Sequence, residues 1–247
     1  MKLLNQFDLK RPMLSCHRHN EEQKAPQLVE RMLAEDLTVA LTCDAGTPGI
    51  SDPGHLLVRA CWDAGIPVEP VCGPSAAITA LSVSGFDARR FAFYGFLPRE
   101  KKALNDTLDD IRRANIPVFV LYESPHRIVD LAAAIAGKWP ECMLCVCSDL
   151  TKRYERIYRG AAGAVLEALR GNASVEKGEY CVVADISALP PVEPKVEKPR
   201  VDAFMLARML DGDDLSDAAS AAMDAGYPRN EVYRAKLRIA DWLETDE

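Results

Sequence analysis

The sequence lacks an apolar run long enough to cross a membrane, and its first residues lack the long apolar core of a secretory signal peptide. These absences argue against a membrane-embedded or secreted protein, and we predict a cytosolic protein with no membrane partner. The sequence also lacks a Walker A motif, a G-x-G-x-x-G fingerprint, a G-x-S-x-G elbow and the protein-kinase motifs. The chemistries that depend on those motifs are therefore not indicated.

Convincing metal-ligand patterns are also missing. The eight cysteines are scattered, mostly within apolar runs, which is typical of small buried side chains in a reducing compartment. Cys145 and Cys147 share one face of a predicted strand near Cys142, and no second Cys or His pair follows at zinc-finger spacing. The Cys16–His19 segment is a slightly better candidate, but polar residues surround it. We predict no metal site.

What the chain does contain is typical of a globular protein: 247 residues, of which 48% are hydrophobic, and a mean hydropathy of -0.11. The formal net charge of -7 argues against a protein that coats nucleic acid non-specifically. Three basic segments nevertheless occur, at Arg99–Lys102, Lys152–Arg159 and Arg229–Arg238. They indicate either solvated faces or an anionic macromolecular partner.

The most informative segment is Asp44–Gly54, which contains three glycines, two prolines and two aspartates. This composition neither continues a strand nor begins a regular helix, so it predicts a rigid loop with free backbone N–H groups. The loop follows the apolar run Val39–Cys43 and precedes a helical pattern, a position where α/β proteins bind small polar cofactors. The alternative is a crowded turn without a ligand.

Gly73–Thr79 is a second junction of the same kind, and Pro74 suits the first turn of its helix. Polar groups at the two loops suit a zwitterionic cofactor. Backbone N–H groups can bind a carboxylate, while carbonyls and the carboxylates of Asp44 and Asp52 can bind an ammonium or a ribose.

Strand and helix patterns alternate through the first part of the chain, which implies a parallel sheet covered on both faces. The predicted elements there are helix Glu22–Glu35, strand Thr38–Cys43, helix His55–Ala64, strand Pro67–Cys72 and a helix from Gly73 through Leu81. A boundary is expected after Gly85. The region beyond it combines a hairpin with crossovers, which predicts a mixed sheet. Its predicted strands are Phe91–Leu97, Val118–Tyr122, Met143–Ser148, a hairpin strand around Tyr154–Tyr158, and Glu179–Ile186.

The prolines of Leu189–Pro199 predict an extended linker. Three short helices follow, at Val201–Leu210, Leu215–Ala225 and Asn230–Leu243, and they fit either a helix-turn-helix module or a helical cap without a nucleic-acid role. We therefore expect an α/β fold with four segments: an α/β cofactor domain at 1–86, a second α/β domain at 87–188, the linker at 189–200 and the helical module at 201–247.

Six motifs occur in an order that resembles one known family. They are Asp44–Gly54, Gly73–Leu81, Gly95–Pro98, Tyr122–Arg127, Leu150–Lys152 with Glu155, and Lys177–Glu179. Together they are similar to the small-subunit ribosomal RNA 2′-O-methyltransferase I family, a branch of the tetrapyrrole methylase superfamily. The resemblance covers nearly the whole chain, including the C-terminal helices.

The resemblance implies a tetrapyrrole-methylase-like fold of two α/β domains, with S-adenosylmethionine in the cleft between them and a homodimer as the usual assembly. It also implies methyl transfer to the ribose 2′-oxygen of a cytidine in the decoding region of 16S ribosomal RNA. The small ribosomal subunit is then the expected partner.

The resemblance also implies roles for individual residues. Those expected to bind the cofactor are Asp44, Gly46, Thr47, Pro48, Ile50, Asp52, Pro53, Gly73, Pro74, Ser75, Ala76, Thr79 and Glu123. Those expected to handle the proton of the hydroxyl are Lys152, His126 and Glu155. Those expected to bind RNA are Arg127, Arg153, Arg229 and Arg234. In the alternative interpretation, His126 only caps a helix, and Lys152 and Glu155 form a surface ion pair.

Members of the family normally begin with a strand and a Thr-Pro-Ile-Gly-Asn loop, and this sequence starts downstream of that segment. We expect either a start assigned too late, at an internal Met codon, or a truncated paralogue, with the first explanation favoured because the other motifs are intact. Two rival functions remain at this point. One is methylation of a tetrapyrrole on the same fold, and the other is a non-catalytic RNA-binding or assembly protein.

Overall fold

The computed structural model describes residues 2–192 and 198–244. The helices are α1 (Lys2–Gln6), α2 (Glu21–Glu35), α3 (His55–Asp63), α4 (Ala76–Ser84), α5 (Lys101–Arg113), α6 (Ile128–Lys138), α7 (Ala162–Arg170), α8 (Val201–Leu210), α9 (Leu215–Asp224) and α10 (Arg229–Glu244). The strands are β1 (Phe91–Phe96), β2 (Val118–Glu123), β3 (Met143–Ser148), β4 (Arg156–Ala161) and β5 (Tyr180–Asp185). The chain divides into two compact units, residues 1–192 and residues 193–247.

The first unit is built on a five-stranded sheet with the order β1-β2-β5-β3-β4. Strands β1 and β2 are parallel and are joined through α5, whereas β5 is antiparallel to both of its neighbours, and β3 pairs with β4 as a hairpin. The α/β class and the mixed sheet predicted from the sequence are thus confirmed.

Both faces of the sheet are covered, which explains why its central strands are apolar without alternation. On β2, Val118 and Val120 face α4, while Phe119 and Leu121 face the layer formed by α5, α6 and α7. The same division holds on β3, where Cys145 and Cys147 lie under α4. Each such fully buried side chain stabilises the fold by about 1.5–3 kcal/mol.

The two strands predicted in the first part of the chain were wrong. Residues 38–43 and 67–72 have no regular secondary structure, because no neighbouring strand within the described residues pairs with them. Leu41, Ile66 and Val68 instead pack against a small cluster between α2 and α3. Val71 is 91% exposed, as expected where the chain has no sheet to bury it. The parallel sheet expected there is therefore absent from the described part of residues 1–86.

The second unit contains the three predicted helices, α8, α9 and α10. Met205, Ala222 and Ile239, one from each helix, are buried together in its core. The Asp214 carboxylate caps α9 by accepting hydrogen bonds from the backbone N–H groups of Ser216 and Asp217, at 2.7 and 2.8 Å. Part of the predicted linker, residues 193–197, lies outside the described residues.

Within residues 2–192 and 198–244, no helix combines the length and the apolar character that crossing a bilayer requires.

Candidate functional site

The loop Asp44–Gly54 has a backbone conformation that is energetically unfavourable for residues other than glycine. Its backbone φ is positive at Gly46, Gly49, Ser51 and Gly54, with values of 76°, 79°, 59° and 137°. At Gly54 a Cβ atom would also lie 2.6 Å from the Cδ2 atom of Leu41. The glycines that suggested a rigid loop are therefore required by its backbone conformation.

A buried carboxylate anchors the end of this loop. Glu21, the first residue of α2, is 2% exposed, and its Oε1 atom accepts hydrogen bonds from the backbone N–H groups of Gly54 at 2.7 Å and Leu56 at 2.8 Å. His55 Nδ1 lies 3.8 Å from the other oxygen. The carboxylate caps the N-terminus of α3, where a negative charge is favourable. Glu21 thus fixes where the loop ends and the helix begins.

Gly54→Ala is expected to destabilise the protein by about 1–3 kcal/mol, because alanine must adopt a strained φ and displace Leu41. Denaturant unfolding monitored by circular dichroism measures this change. Gly163→Ala in α7 is the control, since nothing lies within 4 Å of its added Cβ and alanine favours the helix. Equal midpoints for the two variants would contradict the strained-loop account.

The two predicted cofactor loops meet. The Thr47 hydroxyl donates a hydrogen bond to the Pro74 carbonyl at 3.1 Å, although the two residues are 27 positions apart. Ser75 then caps α4, with its Oγ atom 3.5 Å from the backbone nitrogen of Ile78, and the Thr79 hydroxyl donates to the Ser75 carbonyl at 2.8 Å. The chain therefore forms one continuous polar surface from both loops.

That surface is open rather than sealed by packed side chains. Asp44 and Gly46 on the first loop are exposed, as are Gly73 and Pro74 on the second, while Asp52 is half-buried. The backbone N–H and carbonyl groups along the junction are thus accessible to a polar ligand.

A cavity of about 510 Å³ lies beside the first loop, between that loop and the sheet. Its size is typical of small-molecule sites. The lining residues come from the ends of β1 and β2, from the segments that follow them, from the first loop and from the segment before α2; they are Arg18, Ser51, Tyr94, Gly95, Phe96, Leu97, Arg99, Glu123, Ser124 and Arg127. Since β1 and β2 are parallel, this is the carboxyl edge of the sheet, where open α/β folds place ligands.

Gly95 lets the first loop approach β1. It is buried at an irregularity in the pairing of β1 with β2 and has a φ of 62°. A Cβ atom there would lie 2.9 Å from the Ser51 hydroxyl oxygen, so a side chain at this position would push the loop away. The Gly95–Pro98 motif therefore has a structural reason: it allows one wall of the cavity to form.

Glu123 carries an incompletely satisfied carboxylate in the wall of this cavity. The residue is 2% exposed, and its Oε1 atom accepts a hydrogen bond from the Ser124 backbone N–H at 2.7 Å. Its Oε2 atom is buried and accepts no hydrogen bond among the described residues, and the Arg127 guanidinium lies 3.4 Å from it. A buried carboxylate oxygen in this state can accept a hydrogen bond from a ligand donor.

The structure places Arg127, predicted to bind RNA, in the same cavity wall. Its guanidinium donates to the Pro98 carbonyl at 2.9 Å and makes longer contacts, at 3.4 and 3.5 Å, with the Leu97 carbonyl. Arg18 and Arg99 line the cavity too, and the Arg18 guanidinium donates to the Ser51 carbonyl at 3.2 Å. Three arginines therefore line one cavity.

The predicted catalytic lysine sits in a second tight loop, residues 149–155. Lys152 Nζ lies 2.9 Å from Glu179 Oε2 and 3.7 Å from Asp149 Oδ1, whereas Glu155 accepts a hydrogen bond from the Thr151 backbone N–H at 2.6 Å. The proposed alternative of a Lys152–Glu155 ion pair is therefore replaced by a pair with Glu179. The hydrogen bond to Glu179 is the main cause that raises the pKa of Lys152, so its amine stays protonated and can donate but not accept a proton.

The sheet register brings this loop to the same edge as the cavity. Tyr180, at the start of β5, pairs with Glu123 on one side and with Ser148 on the other. Because the strand spacing is about 4.8 Å, the ends of β2 and β3 lie about 10 Å apart. The Lys152 loop and the cavity wall therefore belong to one face of the molecule.

The remaining predicted residues are more dispersed. His126 is exposed in the turn before α6. The guanidinium of Arg153 lies 5.6 Å from the centroid of the exposed Tyr154 ring. Arg229 and Arg234 are exposed on α10 in the second unit.

Two residues that contribute to the candidate site, Glu21 and Arg18, were not predicted. Glu21 is adjacent to the exposed Glu22 in a polar stretch, and nothing in the sequence marks which of the two becomes buried. Arg18 was considered only as part of a metal-like cluster. Two quoted motifs, Gly95–Pro98 and Tyr122–Arg127, were signals for the cavity, and a glycine inside an apolar strand pattern indicates close approach of another segment.

A family model described as Tetrapyrrole (Corrin/Porphyrin) Methylases matches residues 2–166 of the chain. The crystal structure of diphthine synthase superimposes with a TM-score of 0.53 and 15% sequence identity, covering 74% of this chain and 72% of that one. That likeness concerns the fold alone. The family match, over more than half of the chain, thus defines a methyltransferase of the tetrapyrrole methylase class, and S-adenosylmethionine, the predicted cofactor, is the methyl donor of this family.

Curated relatives narrow the class. Ribosomal RNA small subunit methyltransferase I of Xylella fastidiosa is 36% identical over 234 residues, which cover 94% of this chain and 84% of the relative. The protein of the same name from Escherichia coli O157:H7 is 35% identical over 237 residues, which cover 95% and 81%. The chain belongs to the ribosomal RNA small subunit methyltransferase I family, a family of S-adenosylmethionine-dependent rRNA methyltransferases.

Proposed function

We propose that this protein transfers a methyl group from S-adenosylmethionine to the ribose 2′-oxygen of a cytidine in 16S rRNA, at position 1402 of the small ribosomal subunit. The observation that carries the proposal is the identity of 35–36% to two rRNA small subunit methyltransferases over more than four-fifths of their length. The joined loops and the arginine-lined cavity beside them are consistent with a site for a zwitterionic donor next to a site for an anionic substrate.

The junction of the two loops fits the methyl donor. Its exposed backbone N–H groups can bind the donor's carboxylate, and the carboxylates of Asp44 and Asp52 can bind the ammonium or the ribose hydroxyls. In this proposal the residues that hold the donor are Asp44, Gly46, Thr47, Pro48, Ile50, Asp52, Pro53, Gly73, Pro74, Ser75, Ala76 and Thr79. When bound, S-adenosylmethionine supplies a methyl group that its sulfonium already activates for in-line transfer.

Since the donor is already activated, the protein's tasks are to position the ribose and to help its hydroxyl lose a proton. Lys152 is suited to the second task as a fixed positive charge, because the ammonium is stabilised by Glu179. It lowers the pKa of a nearby hydroxyl by stabilising the developing alkoxide. His126 and Glu155 remain the candidates for accepting the proton.

Further parts of the proposal concern assembly and location. The exposed arginines of α10, including Arg229 and Arg234, would contact rRNA phosphates, and Arg153 in the first unit would do so as well. A second copy of the chain would cover exposed apolar side chains of residues 33–83 and form a homodimer; these side chains are Leu33, Leu37, Val39, Trp62, Val71, Ile78 and Val83. A ribosomal substrate places the reaction in the cytoplasm.

The test is a methyl-transfer assay on small ribosomal subunits that lack the modification, with methyl-tritiated S-adenosylmethionine. Nuclease digestion followed by mass spectrometry identifies the product nucleoside, and primer extension at low nucleotide concentration locates it. We expect one equivalent of 2′-O-methylcytidine per subunit, at a single position. Base-methylated cytidine, or label spread over many positions, would contradict the proposal.

The two rival functions predict different results in the same experiment. A tetrapyrrole methyltransferase would leave the ribosomal subunits unlabelled and methylate a precorrin-type substrate. A non-catalytic RNA-binding protein would label neither substrate, and calorimetry would detect no binding of S-adenosylmethionine even at millimolar concentration.

A further inference from the structure

The net charge of the cavity favours a different ligand from the methyl donor that suits the two loops. Arg18, Arg99 and Arg127 line it with three positive charges, and Glu123 contributes one negative charge, so the formal balance is +2. S-adenosylmethionine carries a sulfonium, an ammonium and a carboxylate, so its net charge is positive and such a wall disfavours it, whereas an RNA phosphodiester is attracted to the wall.

The residues that line the cavity also differ from most of those expected to bind the cofactor. Of the thirteen residues expected from the sequence to bind the cofactor, Glu123 lines the cavity and the others do not, although Ser51 of the first loop forms part of its wall. The meeting point of the two loops, at Thr47 and Pro74, is therefore not part of the cavity lining, although the first loop borders the cavity. A cofactor bound at that junction leaves the cavity free for the substrate.

An aromatic ring completes a nucleotide-like environment. Phe96 lines the cavity, is 56% exposed, and is fixed by an edge-on contact with the Tyr122 ring at 5.8 Å between centroids. Exposed aromatic rings beside cationic grooves are surfaces on which unstacked bases pack. A base extruded from its helix is read in this way by enzymes that modify nucleic acids.

Glu123 and Arg127 together match the Watson–Crick edge of cytosine. That edge presents one donor, the N4 amine, followed by two acceptors. The Glu123 Oε2 atom forms an ion pair with the Arg127 guanidinium at 3.4 Å but accepts no hydrogen bond among the described residues, so it can act as an acceptor, and the guanidinium provides donors. Uracil presents an acceptor where cytosine has the N4 amine, so uracil would place an oxygen against the carboxylate. The pair therefore favours cytosine over uracil.

We propose that this cavity binds the target nucleotide, with Glu123 and Arg127 reading the cytosine edge, Phe96 packing on the base, and Arg18 and Arg99 contacting phosphates. This inference rests on the proposed function and assigns its nucleotide specificity. It also differs from the sequence-based expectation for Glu123, which grouped that residue with the cofactor ligands.

The first test compares two ribosomal substrates, one with cytidine and one with uridine at the target position. We expect the unchanged protein to methylate the cytidine subunit about 10- to 100-fold more efficiently. Glu123→Gln, whose amide can donate to uracil, is expected to reduce this ratio at least tenfold, while the calorimetric affinity for S-adenosylmethionine changes less than twofold. An unchanged ratio would overturn the proposal, and so would a large loss of cofactor affinity, because Glu123 would then belong to the donor site.

The second test does not depend on a buried substitution. Arg99→Ala is expected to weaken binding of a fluorescein-labelled decoding-region RNA and to reduce the slope of log Kd against log salt concentration by about 1. Arg90→Ala removes the same charge from an exposed position that does not line the cavity, and it serves as the control. Equal effects of the two variants would overturn the proposal.

The two tests also distinguish failure of this inference from failure of the proposed function on which it rests. If the unchanged protein methylates neither substrate, the proposed function fails, and the RNA-binding difference between Arg99→Ala and Arg90→Ala still decides whether the cavity holds RNA. If methylation occurs normally but Glu123→Gln and Arg99→Ala both behave as the unchanged protein does, the proposed function stands and the cavity assignment is wrong.

Discussion

Lys152→Ala is expected to lower the rate constant of methyl transfer by about 100- to 1000-fold, with little change in the affinity for S-adenosylmethionine. The reason is that Lys152 supplies the positive charge closest to the developing alkoxide in the proposed mechanism. Single-turnover assays on ribosomal subunits measure the rate constant, and calorimetry measures the cofactor affinity.

Two further variants distinguish the charge of Lys152 from its shape. Lys152→Arg keeps the positive charge and is expected to retain part of the activity. Glu179→Gln removes the carboxylate 2.9 Å from Nζ and leaves the lysine in place, so the position of the ammonium is less fixed and a smaller rate loss is expected. Lys152→Ala with an unchanged rate constant would remove Lys152 from the mechanism.

The pH dependence follows from the direction of the pKa shift. The pKa of Lys152 is raised above its ordinary value of 10.5, chiefly by the hydrogen bond to Glu179, so the ammonium persists throughout pH 7–9. The stability contributed by this pair is fully present below 10.5 and is lost as the pH rises through the higher pKa of the folded state. We therefore expect the rate ratio between the unchanged protein and Lys152→Ala to stay constant from pH 7 to pH 9. A steep change in that range would contradict a permanently charged lysine.

Glu21→Ala is expected to cost about 3–5 kcal/mol of folding free energy, because it leaves the N–H groups of Gly54 and Leu56 without their charged acceptor. For a chain of this size the unfolding temperature should fall by about 10 °C. Because Glu21 holds the end of the first loop, the affinity for S-adenosylmethionine should fall as well, by the fraction of molecules in which the loop is disordered.

The neighbouring residue provides a matched control. Glu22 is exposed in the first turn of the same helix, and Glu22→Ala is expected to change stability by no more than about 0.5 kcal/mol. Glu21→Gln keeps one acceptor oxygen, so its loss of stability should lie between those of Glu21→Ala and Glu22→Ala. Scanning calorimetry gives the unfolding temperatures. Similar temperatures for Glu21→Ala and Glu22→Ala would show that the buried carboxylate does not hold the loop.

The central sheet was predicted well because its apolar runs can be recognised in the local sequence. Strand β2 is apolar at every position from Val118 to Leu121 since both of its faces are covered, and a run of this kind between turn signals is readable without tertiary information. The amphipathic helix Glu21–Glu35 and the loop Asp44–Gly54 were readable for similar reasons: helical period in one case and glycine and proline content in the other.

The parts that were not predicted depend on partners far away in the chain. Residues 38–43 have a strand-like composition, but a strand requires a hydrogen-bonded neighbour, and none lies beside them in the described structure. Glu21 acts on a residue 33 positions away, and Lys152 pairs with Glu179 rather than with the nearby Glu155. The tertiary fold determines which residues become partners, so these pairings cannot be predicted from a local sequence pattern.

The central claim is that the methyl donor binds at the junction of the two loops, outside the arginine-lined cavity. A crystal structure of the protein with S-adenosylhomocysteine tests this claim directly. We predict that the ligand contacts the loop segments around Thr47 and Pro74 and leaves the wall formed by Phe96, Arg99 and Glu123 vacant. Electron density for the ligand inside that cavity, or at a surface away from both loops, would contradict the account.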